Sequence, residues 1–302
     1  MRVTLIHNPE AGEGHPTPAE LRAAFDAAGH ELRYFSSREP GWEAALDAPG
    51  DLVVSAGGDG TVAKIAPRLA GSGVPLGLLP LGTANNIALT LELSANWRAA
   101  VAGLAGGTRR RFDCGTATGP WGSRSFIESV GAGLVTHLIA TADAEPVERA
   151  LEAAPIPDRF DDIRRLCTLL LAEVEAADYE IEADGADLSG RYLLVEVMNI
   201  RSIGPRLQLA PESDSADGML DLVLIDEGAR ERFASDIRSW AEGWSRATPW
   251  PVQRVQRVSI TGTRLAWHVD ADAQPEPVSG RVVAELTSQV ELLVSAPPEA
   301  AA

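Results

Sequence analysis

The run Gly57-Gly58-Asp59-Gly60-Thr61 and the later run Pro80-Leu81-Gly82-Thr83-Ala84-Asn85-Asn86 hold the residue types that phosphate chemistry uses: bare backbone amides, hydroxyls and a carboxylate. Glycines let the backbone approach a ligand with no Cβ in the way, so that amides can point at phosphate oxygens. The helical stretch 62–69 would add its dipole and unpaired N–H groups to the same anion. Taken alone, Gly-Gly-Asp-Gly is equally a tight turn between strand and helix. The second run shifts the balance, because Val74-Pro-Leu-Gly-Leu-Leu-Pro is again a short apolar strand that ends in a Gly-Thr turn. Two such strand ends on one sheet edge make the crevice where open α/β sheets bind ligands. Thr61 and Thr83 also suit N-capping, which can coexist with phosphate binding. Asp59 would be repelled by a triphosphate unless a metal ion or an acceptor hydroxyl lies beside it, so it is a candidate functional group.

The elements needed to position these residues fit a chain of 302 residues with 45% hydrophobic content, which can bury a full core and make two domains. No stretch is long and apolar enough to span a bilayer. Residues 1–8 enter a strand-like run without a signal-peptide core, which predicts a cytoplasmic protein. The formal charge of −17 argues against nucleic-acid binding and against tight docking on anionic lipid, leaving at most peripheral membrane contact. Arg109-Arg110-Arg111 and Arg164-Arg165 are short basic clusters of the kind usually found on solvated faces. Cys114 and Cys167 make no Cys-x-x-Cys pair and read as reduced packing residues.

Over residues 1–107 apolar strands at 3–6, 32–35, 52–55 and 76–79 alternate with helices at 18–28, 61–70, 83–91 and 96–105. This predicts an α/β N-terminal domain with a mostly parallel, doubly wound sheet. From 108 to 294 the runs at 111–117, 125–130, 179–183, 192–198, 220–225, 252–261, 265–269, 281–285 and 289–294 predict a β-rich antiparallel second domain. Flanking helices are expected at 134–154 and 159–176, with a tail at 295–302 that frays. Leu134, Leu138, Ile139, Leu166, Leu169 and Leu170 could line an apolar cleft or be ordinary core.

Four segments in fixed order, Asn8-Pro9-Glu10-Ala11-Gly12, the Gly57 run, Leu79 to Asn86, and Asp217-Gly218-Met219-Leu220-Asp221, resemble the diacylglycerol kinase catalytic family. The likeness is to its soluble bacterial lipid kinases, related to sphingosine and ceramide kinases. Gly-Gly-Asp-Gly-Thr is shared with NAD kinases, while Pro-x-Gly-Thr-x-Asn and Asp-Gly-x-Leu-Asp point to the lipid-kinase branch. The resemblance implies ATP and Mg²⁺ as cofactors, a hydroxyl of a lipid such as diacylglycerol as acceptor, and a place in phospholipid metabolism. It implies nucleotide contacts at Asn8, Pro9, Gly12, Gly57, Gly58, Asp59, Gly60, Thr61, Gly82, Thr83 and Asn85, with Ser37 assigned by loop spacing. It also implies a structural Mg²⁺ held by Asp214, Asp217 and the Met219 carbonyl; without it, that stretch reads as an acidic turn before a strand.

Family members carry Asp-Gly-Glu late in the chain, with the Glu as base on the acceptor hydroxyl. Here the run is Asp270-Ala271-Asp272, so the carboxylate sits on a shorter arm at Asp272, and Asp59 is the other candidate catalytic carboxylate. Val62-Ala63-Lys64, Glu10-Ala11-Gly12 and Glu128 are further departures. Ile127-Glu128-Ser129-Val130-Gly131 lacks the first glycine of a nucleophile elbow, so a serine hydrolase is unsupported. NAD kinase-like phosphorylation of a soluble acceptor and a nonenzymatic nucleotide-binding regulator remain as alternatives, and a homodimer is left open.

Overall fold

The computed structural model describes residues 1–154, 156–241, 249–274 and 276–295, and the expected frayed tail from 296 onward lies outside them. The chain forms two compact units, 1–114 with 288–302, and 115–287. The division falls after Cys114, where 107/108 is the expectation, and the chain returns at 287/288, so that only the end of its last strand joins the first unit. Both divisions lie inside long strands, β5 (Thr108–Gly119) and β18 (Val278–Val294), whose unbroken ladders give the sequence no turn signal to mark a boundary.

The first unit is built on β1 (Arg2–His7), β2 (Glu31–Ser36), β3 (Leu52–Gly57) and β4 (Leu76–Pro80). They pair in parallel in the order β2-β1-β3-β4, and Leu292 and Leu293 of β18 extend the sheet beside β4. β3 is buried along its whole length, as its uninterrupted apolar run requires. Helix α1 (Pro18–Ala27) starts at a capping box in which Thr17 and Glu20 bond reciprocally. Leu21 and Phe25, one turn apart on α1, are fully buried in a core with Val3, Leu5, Leu52, Val54 and Leu79. Helices α2 (Asp59–Leu69), α3 (Asn86–Thr90) and α4 (Trp97–Ala102) complete the unit. From β1 the chain passes to β2 on one side and then to β3 on the other, so connections diverge at the carboxyl ends of β1 and β3. That divergence is the topological switch point at which such sheets bind ligands.

In the second unit, β6 (Gly122–Phe126), β7 (Ser129–Gly133), α5 (Leu134–Ala142), α6 (Glu145–Ala153) and α7 (Ile156–Glu173) come first. β8 (Ala177–Ala183), β9 (Ala186–Asp187), β10 (Gly190–Met198), β11 (Ser202–Ile203), β12 (Leu207–Gln208) and β13 (Leu220–Asp226) follow. The remaining elements are α8 (Arg230–Ala241), β14 (Val252–Val255), β15 (Arg257–Leu265), β16 (Trp267–Val269) and β17 (Asp272–Ala273). The ladders around β10 are antiparallel, with β7 and β8 on one side and β13 on the other. Leu134, Leu138, Cys167 and Leu171 pack into one of the unit's cores with Ile139, Leu166 and Leu170 against them, so these leucines are core and not a cleft lining. Leu169 alone of the six stands exposed. Both cysteines are buried and unbridged.

The expected strand at 125–130 is broken at Ile127 and Glu128, whose amides bond a side chain instead of a neighbouring strand. Helix α8 leaves little apolar pattern in the sequence, because its charged run has only Phe233 and Ile237, one turn apart, as fully buried anchors.

One row across the second unit's sheet is polar. His268 on β16 and Glu196 on β10 are both in register with Gly131 of β7, which lies between them. Because Gly131 has no side chain, the two reach across it and bond, Nε2 to Oε1, at 2.9 Å, and are only 1% and 0% exposed. Thr136 of α5 donates to the Gly131 carbonyl and meets His268 Nδ1 at 2.9 Å. A Cβ at Gly131 would stand 2.2 Å from Glu196 Oε2. Gly131→Ala is therefore expected to destabilise the protein by about 2–3 kcal/mol through overpacking, read by urea denaturation; an unchanged midpoint would refute the bridge.

Candidate functional site

Three loops meet at the carboxyl ends of the first unit's strands. The Asn8 amide, directly after β1, donates to the Ala56 carbonyl of β3 at 2.8 Å. Asn8 Oδ1 accepts from the Glu10 amide, and the loop turns through Gly12 at φ +64°. Pro9 continues the exit from the strand. A Cβ at Gly12 would lie 3.4 Å from the Leu81 carbonyl oxygen, so this loop touches the third one. The Ser37 amide donates to the His7 carbonyl at 2.7 Å, which sets Ser37 beside the same edge.

The second and third loops are locked together. The Leu81 amide donates to the Gly57 carbonyl at 3.0 Å. Gly58 and Gly82 pack backbone against backbone: a Cβ on Gly82 would come within 2.4 Å of the Gly58 Cα. A Cβ on Gly57 would strike the Thr61 hydroxyl at 2.4 Å, with Thr61 itself buried. Gly60 is different, because a Cβ there meets nothing within 4 Å. Gly58 is the N-cap residue of α2 and offers no side-chain cap to that helix's first amides.

Asp59 spans the two loops. Its carboxylate accepts from the amides of Asn86 at 2.8 Å and Ile87 at 3.1 Å, so it caps α3 from a position far back in the sequence. Burial pushes its carboxyl above the usual range, against the pull of those amides. This is a third reason for an acid here, beside the metal and the hydroxyl that sequence reasoning offers, and no local spacing signals it. Asn85, at φ +53°, staples its own turn: its Oδ1 accepts from the Gly82 amide at 2.9 Å, and its Nδ2 donates to the Gly82 carbonyl at 2.7 Å. Thr83 lies half-buried in the same turn.

In the second unit, Asp272 is exposed and its carboxylate accepts from the Arg124 guanidinium at 2.6 Å. Asp270, two residues earlier, is the more deeply held group. At φ +51° it turns its carboxylate onto the amides of Ile127, Glu128 and Ser129, at 3.1, 2.8 and 3.2 Å. The break between β6 and β7 is thus a carboxylate nest. Sequence reasoning treated Asp270 only as part of the Asp-x-Asp run, because the amides that need it lie on a distant strand.

The acidic turn ahead of β13 was the expected metal site. Asp214 Oδ1 accepts from the Ala216 amide at 3.1 Å, and Asp217 Oδ1 from the Met219 amide at 2.9 Å. The other oxygen of Asp217 is bonded by the Arg254 guanidinium. The amide bonds leave lone pairs for an ion, but a structural Mg²⁺ at Asp214 and Asp217 would have to compete with Arg254 for the second Asp217 oxygen. Among the described residues no group of three or more His, Cys, Asp or Glu side chains could hold a metal. Arg109 pairs with Glu291, and Arg164 and Arg165 pair with Asp161 and Asp162, which accounts for three members of the basic clusters.

Comparison with known proteins gives matches over most of the chain. Residues 2–117 match the family described as "Diacylglycerol kinase catalytic domain", and residues 164–291 the "YegS C-terminal NAD kinase beta sandwich-like domain". A diacylglycerol kinase of Bacillus subtilis is 30% identical over 243 residues, covering 77% of this chain and 76% of its own length. A Pseudomonas aeruginosa protein named "Probable lipid kinase YegS-like" is 31% identical over 233 residues, covering 73% of this chain and 70% of its own length. Among solved structures, a diacylglycerol kinase from Bacillus anthracis superposes with a TM-score of 0.70 at 19% identity, covering 98% of this chain and 97% of its own. An NAD kinase from Archaeoglobus fulgidus in complex with ATP superposes at 0.52 and 13% identity, covering 99% and 95%. At those identities the two structures show a shared fold.

The Asp270 nest gives a measurable proton. Burial pushes its carboxyl up to about 6, outweighing the three amides. A carboxyl with a folded value above its unfolded one takes up a proton on folding, so Asp270 opposes folding above pH 6 and does so less as pH falls toward 4. Carbon-13 NMR titration of that carboxyl is expected to give a midpoint near 6; a midpoint below 4 would show that the amides dominate.

Proposed function

This chain belongs to the diacylglycerol kinase family of bacterial lipid kinases, and on that premise we propose that it transfers the γ-phosphoryl group of ATP to a hydroxyl of a lipid acceptor such as diacylglycerol. The observation that carries the reading is the pair of glycine turns at the switch point of the first unit. Gly58 and Gly82 are needed for close packing, but Gly60 is not. Glycine inside a helix costs up to about 1 kcal/mol relative to alanine, so a helical glycine with open space before it is best explained by something that approaches from outside.

The residues present fit a triphosphate. Amides at Gly58, Gly60 and Thr83, with the start of α2, would hold phosphate oxygens, inside turns that Gly57, Thr61 and Gly82 shape; Asn8, Pro9, Gly12 and Ser37 would border the rest of the nucleotide. When bound, ATP with its Mg²⁺ would supply an activated phosphoryl group whose charge is already partly neutralised. The chain's own part is to position and to accept a proton. As the acceptor oxygen bonds to phosphorus and the bond to ADP breaks, the hydroxyl proton passes to a carboxylate. We assign that role first to Asp59, which α3 holds in place and whose carboxyl is raised by burial. Asp272 is the second candidate, and its bond to Arg124 must open before it can serve.

No helix among the described residues is long and apolar enough to cross a membrane, so a bilayer-resident acceptor would be met by peripheral contact. A cytoplasmic location goes with this reading.

The test is transfer of labelled γ-phosphate to detergent-dispersed diacylglycerol, ceramide, sphingosine and monoacylglycerol, beside NAD. Labelled lipid supports the reading; label in NAD alone, or in no acceptor, overturns it. Asp59→Asn is expected to lower kcat by about 10²–10⁴-fold, and Asp272→Asn by about tenfold or less. In a separate binding assay, Gly60→Ala should leave the unfolding midpoint unchanged or raised yet weaken ATP about tenfold, or ~1.4 kcal/mol. Gly82→Ala should lower both stability and affinity, and an unaltered Gly60→Ala affinity would count against the cradle.

A further inference from the structure

Three carboxylates crowd the turn before β13 and its first residues: Asp214, Asp217 and Asp221. Asp221 is buried, and its strand sets it directly opposite Arg254. A cation beside these carboxylates offsets their mutual repulsion. The resemblance to the lipid-kinase family implies a divalent one, yet the central carboxylate is already bonded at both oxygens, one by the Met219 amide and the other by Arg254.

The position of Arg254 is fixed by the fold. β14 pairs antiparallel with β13, with Asp221 directly opposite Arg254 and Leu220 opposite Val255. Val255 and Leu220 are buried side by side in the unit's core, so the strand cannot slide, and Arg254 is carried to the acidic turn on an anchored strand. A guanidinium is planar, permanently charged and able to bond a carboxylate while facing a second one. A dication entering beside it would meet its repulsion and would have to strip a carboxylate oxygen from it.

We propose that Arg254 is the resident cation of this turn, replacing a structural metal ion, so that the second unit holds its fold without a divalent cation. Mg²⁺ enters this protein only with its nucleotide. The inference stands apart from the proposed activity, since it concerns nucleotide-free protein.

The test is the unfolding midpoint of the full-length, nucleotide-free protein in millimolar MgCl₂ and in EDTA at matched ionic strength, with calorimetric Mg²⁺ titration alongside. The wild type is expected to unfold at the same temperature in both and to bind no Mg²⁺. Arg254→Ala should lower the midpoint in EDTA by about 2–4 °C, the size of shift for a 1 kcal/mol loss in a unit of this length. Mg²⁺ should restore part of that loss, because the freed carboxylates then accept it. The recovery should vanish in Arg254→Ala/Asp217→Asn, and Arg254→Lys should stay close to wild type. If Arg254→Ala does not fold, the wild type and Arg254→Lys still decide the matter. A wild-type midpoint that drops in EDTA, Mg²⁺ bound by the nucleotide-free wild type, or an Arg254→Ala midpoint that does not move would each overturn the proposal.

Discussion

The carboxyl edge of the first unit depends on one carboxylate placed on two amides. Asp59 leaves the β3 turn and bonds Asn86 and Ile87 at the start of α3, joining two loops that also meet through the Leu81-to-Gly57 backbone bond and the touching backbones of Gly58 and Gly82. Remove the carboxylate and α3, five residues long, loses the cap for its first amides; helices that short do not persist on propensity alone. Fill the space between Gly58 and Gly82 and the loops must part. The cap and the close approach each presuppose the other, which is why the two glycine runs are paired in the sequence.

Much of this was legible in advance, because parallel strands buried on both faces write themselves as apolar runs and their exits as glycine turns. β1, β3 and β4 match their expected runs to within two residues at each end, and residues at those exits, with the Asp217 run ahead of β13, carry the lipid-kinase resemblance. What failed was whatever depends on distant pairing. Residues 83–91 read as one helix, but Asn85 at positive φ folds the first half into a turn, leaving α3 at Asn86–Thr90. The run 252–261 read as one strand and is two, β14 and β15, which pair with different partners. Conversely, 281–285 and 289–294 read as two and are one strand, the polar stretch between them being exposed within β18.

The polar interior of the second unit shows the same limit in sharper form. Nothing near His268 in the sequence announces Glu196, and nothing near Asp270 announces the amides of Ile127 to Ser129. Both pairings arise because β16 lies on β7, and β7 on β10. Gly131 reads locally as a turn or bulge glycine, yet its role is to leave room for a hydrogen bond between its two neighbours across the sheet. Buried polar groups of this kind are costly when unpaired and so fix register strongly, here for the strand that delivers Asp270 and Asp272.

The acids of this chain are managed in two ways, and the difference bears on chemistry. Asp59 and Asp270 are held by main-chain amides, and both have carboxyls raised by burial. Asp272 is held by the Arg124 guanidinium, and Asp217 by Arg254 together with the Met219 amide. An amide donor stabilises a carboxylate without bringing a second ion to desolvate, so it suits an enclosed site, whereas a guanidinium matches the charge outright and suits a more open one. A carboxylate that must receive a proton from an acceptor hydroxyl and later release it works best when its two protonation states lie close in energy. Burial raises the Asp59 and Asp270 carboxyls against the pull of their amides, whereas a salt bridge commits one oxygen and its charge to a fixed partner. On the reading proposed above, this difference favours Asp59 over Asp272 as the proton acceptor, since Asp272 is held to Arg124.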